Sequence, residues 1–298
     1  IKRLPDGTPD NGDWHFPKLN FDCPELCEYL WGNMEYWVKN FDIDGYRCDV
    51  GDHVPLEFWR EGVRRVKDIK PDFIMLNEGR KDEWIESGVF DANYCYWGFK
   101  QIFDLGEKNI NKNLKAIKHI NKQTMCFENH DSASDGYENR YERKFGKNVC
   151  DAMLVVTFTC GCVPFIYNGN EIADSCRHSL WNNRFYGKNL CVDWSEALTK
   201  DGKNRTALVK SLIKIYHNIS AINIGDIKVL TESADFTAYK KTHGDREVLV
   251  IANMTKDIQT VSLNGENLSD YQTLLSARNI IDNNVVTLSD GGYLVLYK

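Results

Sequence analysis

Three short segments bring acids to the ends of apolar runs: Asp44-Gly45-Tyr46-Arg47-Cys48-Asp49, Phe73-Ile74-Met75-Leu76-Asn77-Glu78 and Met125-Cys126-Phe127-Glu128-Asn129-His130-Asp131. In the first, a glycine and an arginine precede the final acid. An apolar run of this length reads as a buried parallel strand. The acid then sits at the strand's carboxyl end, on the rim of a sheet. In a (β/α)8 barrel that rim carries the active site. Several acids on one rim can protonate a leaving group, attack, and stabilise a cation, which is the chemistry that breaks a glycosidic bond.

The elements around these segments alternate. Residues 1–22, rich in Pro, Gly, Asp and Asn, read as loop. A helix follows with Asp22 as N-cap and Pro24 and Glu25 in its first turn, and with Leu26, Leu30, Met34, Trp37 and Val38 on its inner face. A strand ends at Asp49. Pro55 opens a second helix facing inward through Phe58, Val63, Val66 and Ile69. A strand over 73–77, a short helix near 81–87, a strand over 93–97, a helix around 100–120 and a strand over 124–128 come next. The polar stretch 131–147 reads as a long loop that shapes a binding site. A helix over 148–159, a strand over 163–167 and a helix over 204–221 complete the series. This alternation predicts a parallel sheet. Beyond residue 225, period-two runs at 236–240, 247–253, 258–263, 285–288 and 293–297 predict an antiparallel β domain. The expected division is therefore 1–224, part of a (β/α)8 catalytic barrel, and 225–298, a β-sandwich. Only five βα strands are counted where a closed barrel needs eight, so the chain is expected to be the C-terminal part of a longer polypeptide.

Composition narrows the partners. The 298 residues are 42% hydrophobic and 27% charged, with a net charge of −6. That balance argues against nucleic acid, which would want a basic face, and suits a neutral sugar. No run is long and apolar enough to span a membrane. The ten cysteines show no paired short spacing beyond Cys160-Gly161-Cys162, so they read as small hydrophobes rather than disulfides. So many thiols point to a reducing cytoplasm or an anaerobic source. No Cys-x-x-Cys or His-x-x-x-His pair suggests a metal.

The motifs resemble the α-amylase family of retaining α-glucan-active enzymes. Gly45-Tyr46-Arg47-Cys48-Asp49-Val50-Gly51-Asp52-His53-Val54 is similar to its second conserved region, Asn77-Glu78 to the third, and Phe127-Glu128-Asn129-His130-Asp131 to the fourth. Phe16-Pro17-Lys18-Leu19-Asn20 resembles the short signature of neopullulanase-like members. Gly161-Cys162-Val163-Pro164-Phe165-Ile166-Tyr167-Asn168-Gly169-Asn170-Glu171 resembles the eighth-strand segment, and Val192-Asp193-Trp194-Ser195 also fits. Motif resemblance runs over about 14–221.

The resemblance implies a retaining hydrolase of α-1,4-glucosidic bonds in starch-like α-glucans or maltooligosaccharides. Asp49 would be the nucleophile and Glu78 the general acid/base, about 5–5.5 Å apart as retention requires. Asp131 would bind the sugar hydroxyls and favour the oxocarbenium-like transition state. Arg47 would keep Asp49 ionised, His130 would hydrogen-bond the sugar at the cleavage subsite, and His53 would contact the aglycone side. Glu171 and Trp181 are weaker rim candidates, for which packing is the simpler role. Asp52 stands where many members carry lysine, which should weaken the reducing-end contact. The chemistry itself needs no cofactor. Calcium is frequent in the family, but its usual ligands fall largely in an inserted domain outside this chain. The first three barrel strands and the family's first conserved region would come from the missing N-terminal part, which puts activity of this chain alone in question. A transglycosylase or isomerase on the same site, or a non-catalytic carbohydrate- or partner-binding relative, are the competing readings. The presence of all three acids counts against the non-catalytic one.

Overall fold

The structure, a computed structural model, describes residues 1–12, 15–94, 109–134, 140–178, 191–263 and 265–298. The chain forms two compact units, Ile1–Tyr94 and Cys95–Lys298. The change to antiparallel strands near residue 225 falls inside the second unit.

In the first unit, helix α1 (Pro24–Phe41), strand β1 (Gly45–Cys48), helix α2 (Leu56–Ile69), strand β2 (Ile74–Asn77), helix α3 (Asp82–Glu86) and strand β3 (Ala92–Asn93) follow one another. The three strands form a parallel sheet in the order β1-β2-β3, with Cys48 opposite Asn77 and Asn77 opposite Asn93. Cys48 and Met75 turn into an apolar core that α2 closes with Phe58, Trp59, Val63 and Val66. The ring nitrogens of two tryptophans fix the helices. Trp31 Nε1 donates to Phe58 O at 3.0 Å, and Trp59 Nε1 donates to Gly51 O at 3.1 Å. The second bond ties α2 to the turn just after Asp49.

Several expectations need correction here. Helix α1 is capped at Cys23 with no side-chain bond to the helix's free backbone N–H groups, and Pro24 rather than an Asp22 cap sets its start. Trp37 is exposed and clusters with Tyr36 and Phe41 on the outer side of α1. Ile69, the last residue of α2, is exposed as well. The third strand is described only over Ala92–Asn93, and residues 95–97 lie outside the described residues.

The second unit carries helix α4 (Ile110–Ala116), strand β4 (Thr124–Met125), helices α5 (His130–Ser134), α6 (Tyr141–Lys144) and α7 (Lys147–Thr159), strand β5 (Val163–Pro164), and helices α8 (Lys200–Asn218) and α9 (Ser220–Ile224). Ile102 and Phe103, expected on the helix around 100–120, lie outside the described residues. β4 and β5 pair in parallel. The expected loop over 131–147 is in fact partly helical, in α5 and α6. Helix α7 is buried almost all round, as an apolar helix in the middle of a core must be.

Strands β6 (Asp226–Val229), β7 (Phe236–His243), β8 (Arg246–Asn253), β9 (Gln259–Ser262), β10 (Gln272–Asp282) and β11 (Val285–Tyr297) follow. They make one six-stranded antiparallel sheet, ordered β10-β11-β8-β7-β6 with β9 on β11, not the two separate sheets of a sandwich. One face of this sheet (Tyr239, Val248, Val250, Val295) shares a core with α7 and α8. The other face encloses Leu249, Ile251, Val286, Leu288, Leu294 and Leu296.

Candidate active site

The acids of the first two motifs stand together at the carboxyl ends of β1 and β2. Register explains this: Cys48 and Asn77 are partners, so the next residues, Asp49 and Glu78, leave the sheet side by side. Glu78 N donates to Cys48 O at 2.9 Å, which extends the ladder by one rung. The Arg47 guanidinium lies between the two carboxylates and pairs with both. Its other side lies 5.3 Å from the centroid of the Tyr94 ring, a cation–π contact. The Asp49 side chain is 74% exposed, whereas Glu78 is only 9% exposed. One acid can therefore meet a ligand from solvent while the other sits in the wall.

The turn after Asp49 is strained. Val50 has φ +48° and ψ +40°, a left-handed conformation that a β-branched residue adopts only at a cost of about 1–3 kcal/mol. The strain turns the Val50 N–H onto Glu78 Oε2 at 2.9 Å.

Burial is the leading reason that Glu78 holds its proton above the usual carboxylate range. The Val50 N–H and Arg47 oppose the shift, and the adjoining Asp49 carboxylate adds to it. Repulsion from the Asp49 carboxylate is thus secondary to desolvation. A general acid needs this kind of upward shift.

His53 ends a 3-10 turn over Gly51–His53. It lines a cavity of about 280 Å³ with Lys2, Phe16, Lys18, Phe21 and Val54. Asp52 turns inward. Its carboxylate accepts from Asn77 Nδ2 at 2.9 Å and from the backbone N–H groups of Arg80 at 2.9 Å and Lys81 at 3.3 Å.

His130 and Asp131 belong to the second unit, at the start of α5. His130 Nε2 lies 3.3 Å from Asp131 Oδ1. Asn129 sets their backbone: its Oδ1 accepts from Asp131 N at 3.1 Å and Ser132 N at 3.2 Å. The residue before it, Glu128, is fully buried. Glu128 accepts from Arg140 Nε at 2.9 Å, Tyr141 N at 3.1 Å and Asn170 Nδ2 at 3.1 Å. Arg140 also pairs with buried Asp174 at 3.0 Å, and Asp174 meets His178 Nε2 at 2.7 Å. Burial alone would raise Asp174, but His178 and Arg140 hold it down at about 2. Glu171 Oε2 accepts from Gly169 N at 2.8 Å and so braces its own turn. Trp181 lies outside the described residues.

A model of the alpha-amylase catalytic domain matches residues 12–212. The chain belongs to the alpha-amylase family. Curated relatives include a cyclomaltodextrinase from a Bacillus species, 29% identical over 285 residues (86% of this chain, 48% of the relative). Another is a maltogenic alpha-amylase from Bacillus acidopullulyticus, 30% identical over 257 residues (81% of this chain, 42% of the relative). The chain thus spans about half the length of these relatives. Among solved structures, a maltogenic alpha-amylase from Thermotoga neapolitana superposes with a TM-score of 0.73 at 20% identity, covering 100% of this chain and 71% of the other. A pullulanase from an Anoxybacillus species in complex with maltotetraose gives a TM-score of 0.76 at 14% identity, covering 100% of this chain and 50% of the other. These alpha-amylase neighbours imply the family architecture, a (β/α)8 barrel followed by a β-sheet domain.

Of the alpha-amylase motif residues, the structure brings Arg47, Asp49 and Glu78 into contact within one unit and His130 and Asp131 into contact within the other. Sequence reasoning gave no role to the Val50 N–H, Asn77 and Asn93 around Glu78, or to Glu128, Asn129, Arg140, Asp174 and His178 in the second unit, and it tied Asp52 only to the reducing end of the substrate. The polar residues abutting each motif acid, Asn77 before Glu78 and Glu128-Asn129 before Asp131, were the available signal. Among the described residues no group of three or more His, Cys, Asp or Glu could hold a metal ion, and no described helix is long and apolar enough to cross a membrane.

Proposed function

We propose that the whole protein is a retaining glycoside hydrolase that cleaves α-1,4-glucosidic bonds in starch-like α-glucans or maltooligosaccharides. The observation that carries this reading is the Arg47-bridged pair of an exposed Asp49 and a buried Glu78 with a raised pKa. An exposed carboxylate ion-paired with a guanidinium is equipped to attack an anomeric carbon. A neighbouring carboxyl that keeps its proton is equipped to protonate the departing oxygen. Attack forms a bond from Asp49 Oδ to the anomeric carbon as the bond to the leaving oxygen breaks, and the Glu78 proton goes to that oxygen. In the second half, Glu78 takes a proton from water, the water oxygen bonds to the anomeric carbon, and Asp49 leaves. Asp131 has the transition-state-stabilising role, with His130 beside it. His53, at the 280 Å³ cavity, takes the aglycone side. Relatives named cyclomaltodextrinase and maltogenic alpha-amylase support maltodextrins as the substrate class.

In this proposal β1 to β5 are the fourth to eighth barrel strands. The preceding three come from polypeptide that the relatives possess and these 298 residues do not span. The aromatic face of Tyr36, Trp37 and Phe41 on α1 then packs against the preceding βα unit. The test is product analysis by NMR with the full-length protein on starch and maltooligosaccharides. The first product should carry the α-anomeric configuration. An initial β-anomer, or no reducing-sugar release from starch, pullulan or cyclodextrins, would overturn the proposal.

A further inference from the structure

Asp52 sits in the turn that follows Asp49, yet its carboxylate is spent on the other motif strand. Oδ1 accepts from Asn77 Nδ2 at 2.9 Å, and Oδ2 accepts from the backbone N–H of Arg80 at 2.9 Å and of Lys81 at 3.3 Å. Lys81 Nζ returns a bond to Asp52 O at 2.9 Å. The chain of bonds continues inward. Asn77 Nδ2 also donates to Asn93 Oδ1 at 2.9 Å, and Asn93 Nδ2 donates to Lys81 O at 3.3 Å. Asn77 and Asn93 are fully buried, and the two bonds that Asn77 Nδ2 donates orient its amide between Asp52 and Asn93. Two glycines make the approach possible. A Cβ on Gly79 would stand 2.1 Å from Asp52 Oδ1, and one on Gly51 would stand 2.2 Å from Asn77 Oδ1.

Glu78 lies in the middle of this lattice. The residue before it and the two residues after Gly79 are all bonded to Asp52. We propose that Asp52 is a positioning residue for the general acid: it staples the turn after β2 to the turn after β1, so that the Glu78 carboxyl is presented at a fixed place beside Asp49. The inference rests on the reading of Glu78 as acid/base. It gives the acid at this position, where many family members have lysine, a role within the protein rather than toward the reducing end of the substrate. A shift of about 1 Å in a catalytic group costs on the order of 100-fold in rate, so holding this turn matters for the step in which Glu78 gives up its proton.

The experiment uses the full-length protein and two aryl α-maltosides of similar size, phenyl and 2,4-dinitrophenyl. Phenol leaves poorly and needs the acid, whereas dinitrophenolate leaves without it. Asp52→Ala should lower kcat/KM on the phenyl substrate by about 10- to 100-fold and on the dinitrophenyl substrate by less than about threefold. Asp52→Asn, which keeps an acceptor for Asn77, should recover most of the loss. Asn93→Ala, which removes the inner end of the lattice, should show the same leaving-group dependence and serves if Asp52→Ala fails to fold. Equal losses on both substrates, or wild-type values on both, would overturn the positioning role. Glu78→Gln is measured alongside. If it also fails to discriminate between the leaving groups, the acid/base reading itself has failed, and the Asp52 proposal fails with it.

Discussion

Asp49→Asn in the full-length protein is expected to lower turnover on an α-glucan by several orders of magnitude while leaving the fold intact. The amide has nearly the carboxylate's shape but little nucleophilicity, so the glycosyl-enzyme cannot form by the direct route. The fold should survive because the Asp49 side chain is 74% exposed, and exposed ion pairs contribute about 0–1 kcal/mol. Arg47 keeps its pairing with Glu78. A purified variant that melts like the wild type but turns over near its rate would refute the nucleophile role.

Glu78→Gln should lower kcat/KM on maltooligosaccharides by about 100- to 10,000-fold, the usual contribution of a positioned acid/base. Unlike Asp49→Asn, it should spare substrates whose leaving group departs unprotonated, and added azide should restart turnover by attacking the intermediate without base assistance. The pH profile gives an independent check. Because the folded-state pKa of Glu78 is raised, with burial as the main cause, the protonated acid persists to higher pH than an ordinary glutamic acid. The basic limb of the wild-type kcat/KM profile should therefore lie above the usual carboxylate range and should vanish in Glu78→Gln. The same shift has a sign for stability. The folded chain holds this proton more tightly than the unfolded one, so the contribution is complete below the ordinary glutamate pKa of the unfolded chain and is lost as pH rises through the raised folded value. A Glu78→Gln enzyme with an unchanged basic limb would remove Glu78 from the mechanism.

Much of this site could be read from residue order. Acids at the ends of apolar runs, spaced a βα unit apart, placed Asp49 and Glu78 at adjacent strand ends, and the parallel register of β1 and β2 does so in the structure. The lattice around Glu78 could not be read. Asp52, Asn77 and Asn93 are ordinary polar residues until the sheet brings residues 25 and 16 positions apart into contact. In the β domain, strand β10 escaped because its period-two pattern is broken by register shifts between Thr273 and Leu275 and between Ala277 and Asn279. The runs expected separately at 285–288 and 293–297 are one strand, β11, with Gly291 and Gly292 inside it. There a Cβ on Gly291 would stand 2.2 Å from the backbone of Asn148, so the glycine serves close packing against α7 rather than chain reversal. Trp37 misled for a different reason: helical spacing identifies an apolar face, but not which neighbour covers it.

The central claim is that Asp49 forms a covalent bond to the sugar with Glu78 as its partner acid. The most direct test incubates the full-length protein with a fluorinated glucosyl fluoride, whose excellent leaving group allows the intermediate to form and whose ring fluorine slows its hydrolysis. The label is then mapped by peptide mass spectrometry. The account predicts one sugar per chain, attached to the peptide that contains Asp49. A label on any other carboxylate, or continued turnover with inverted product and no label, would contradict it.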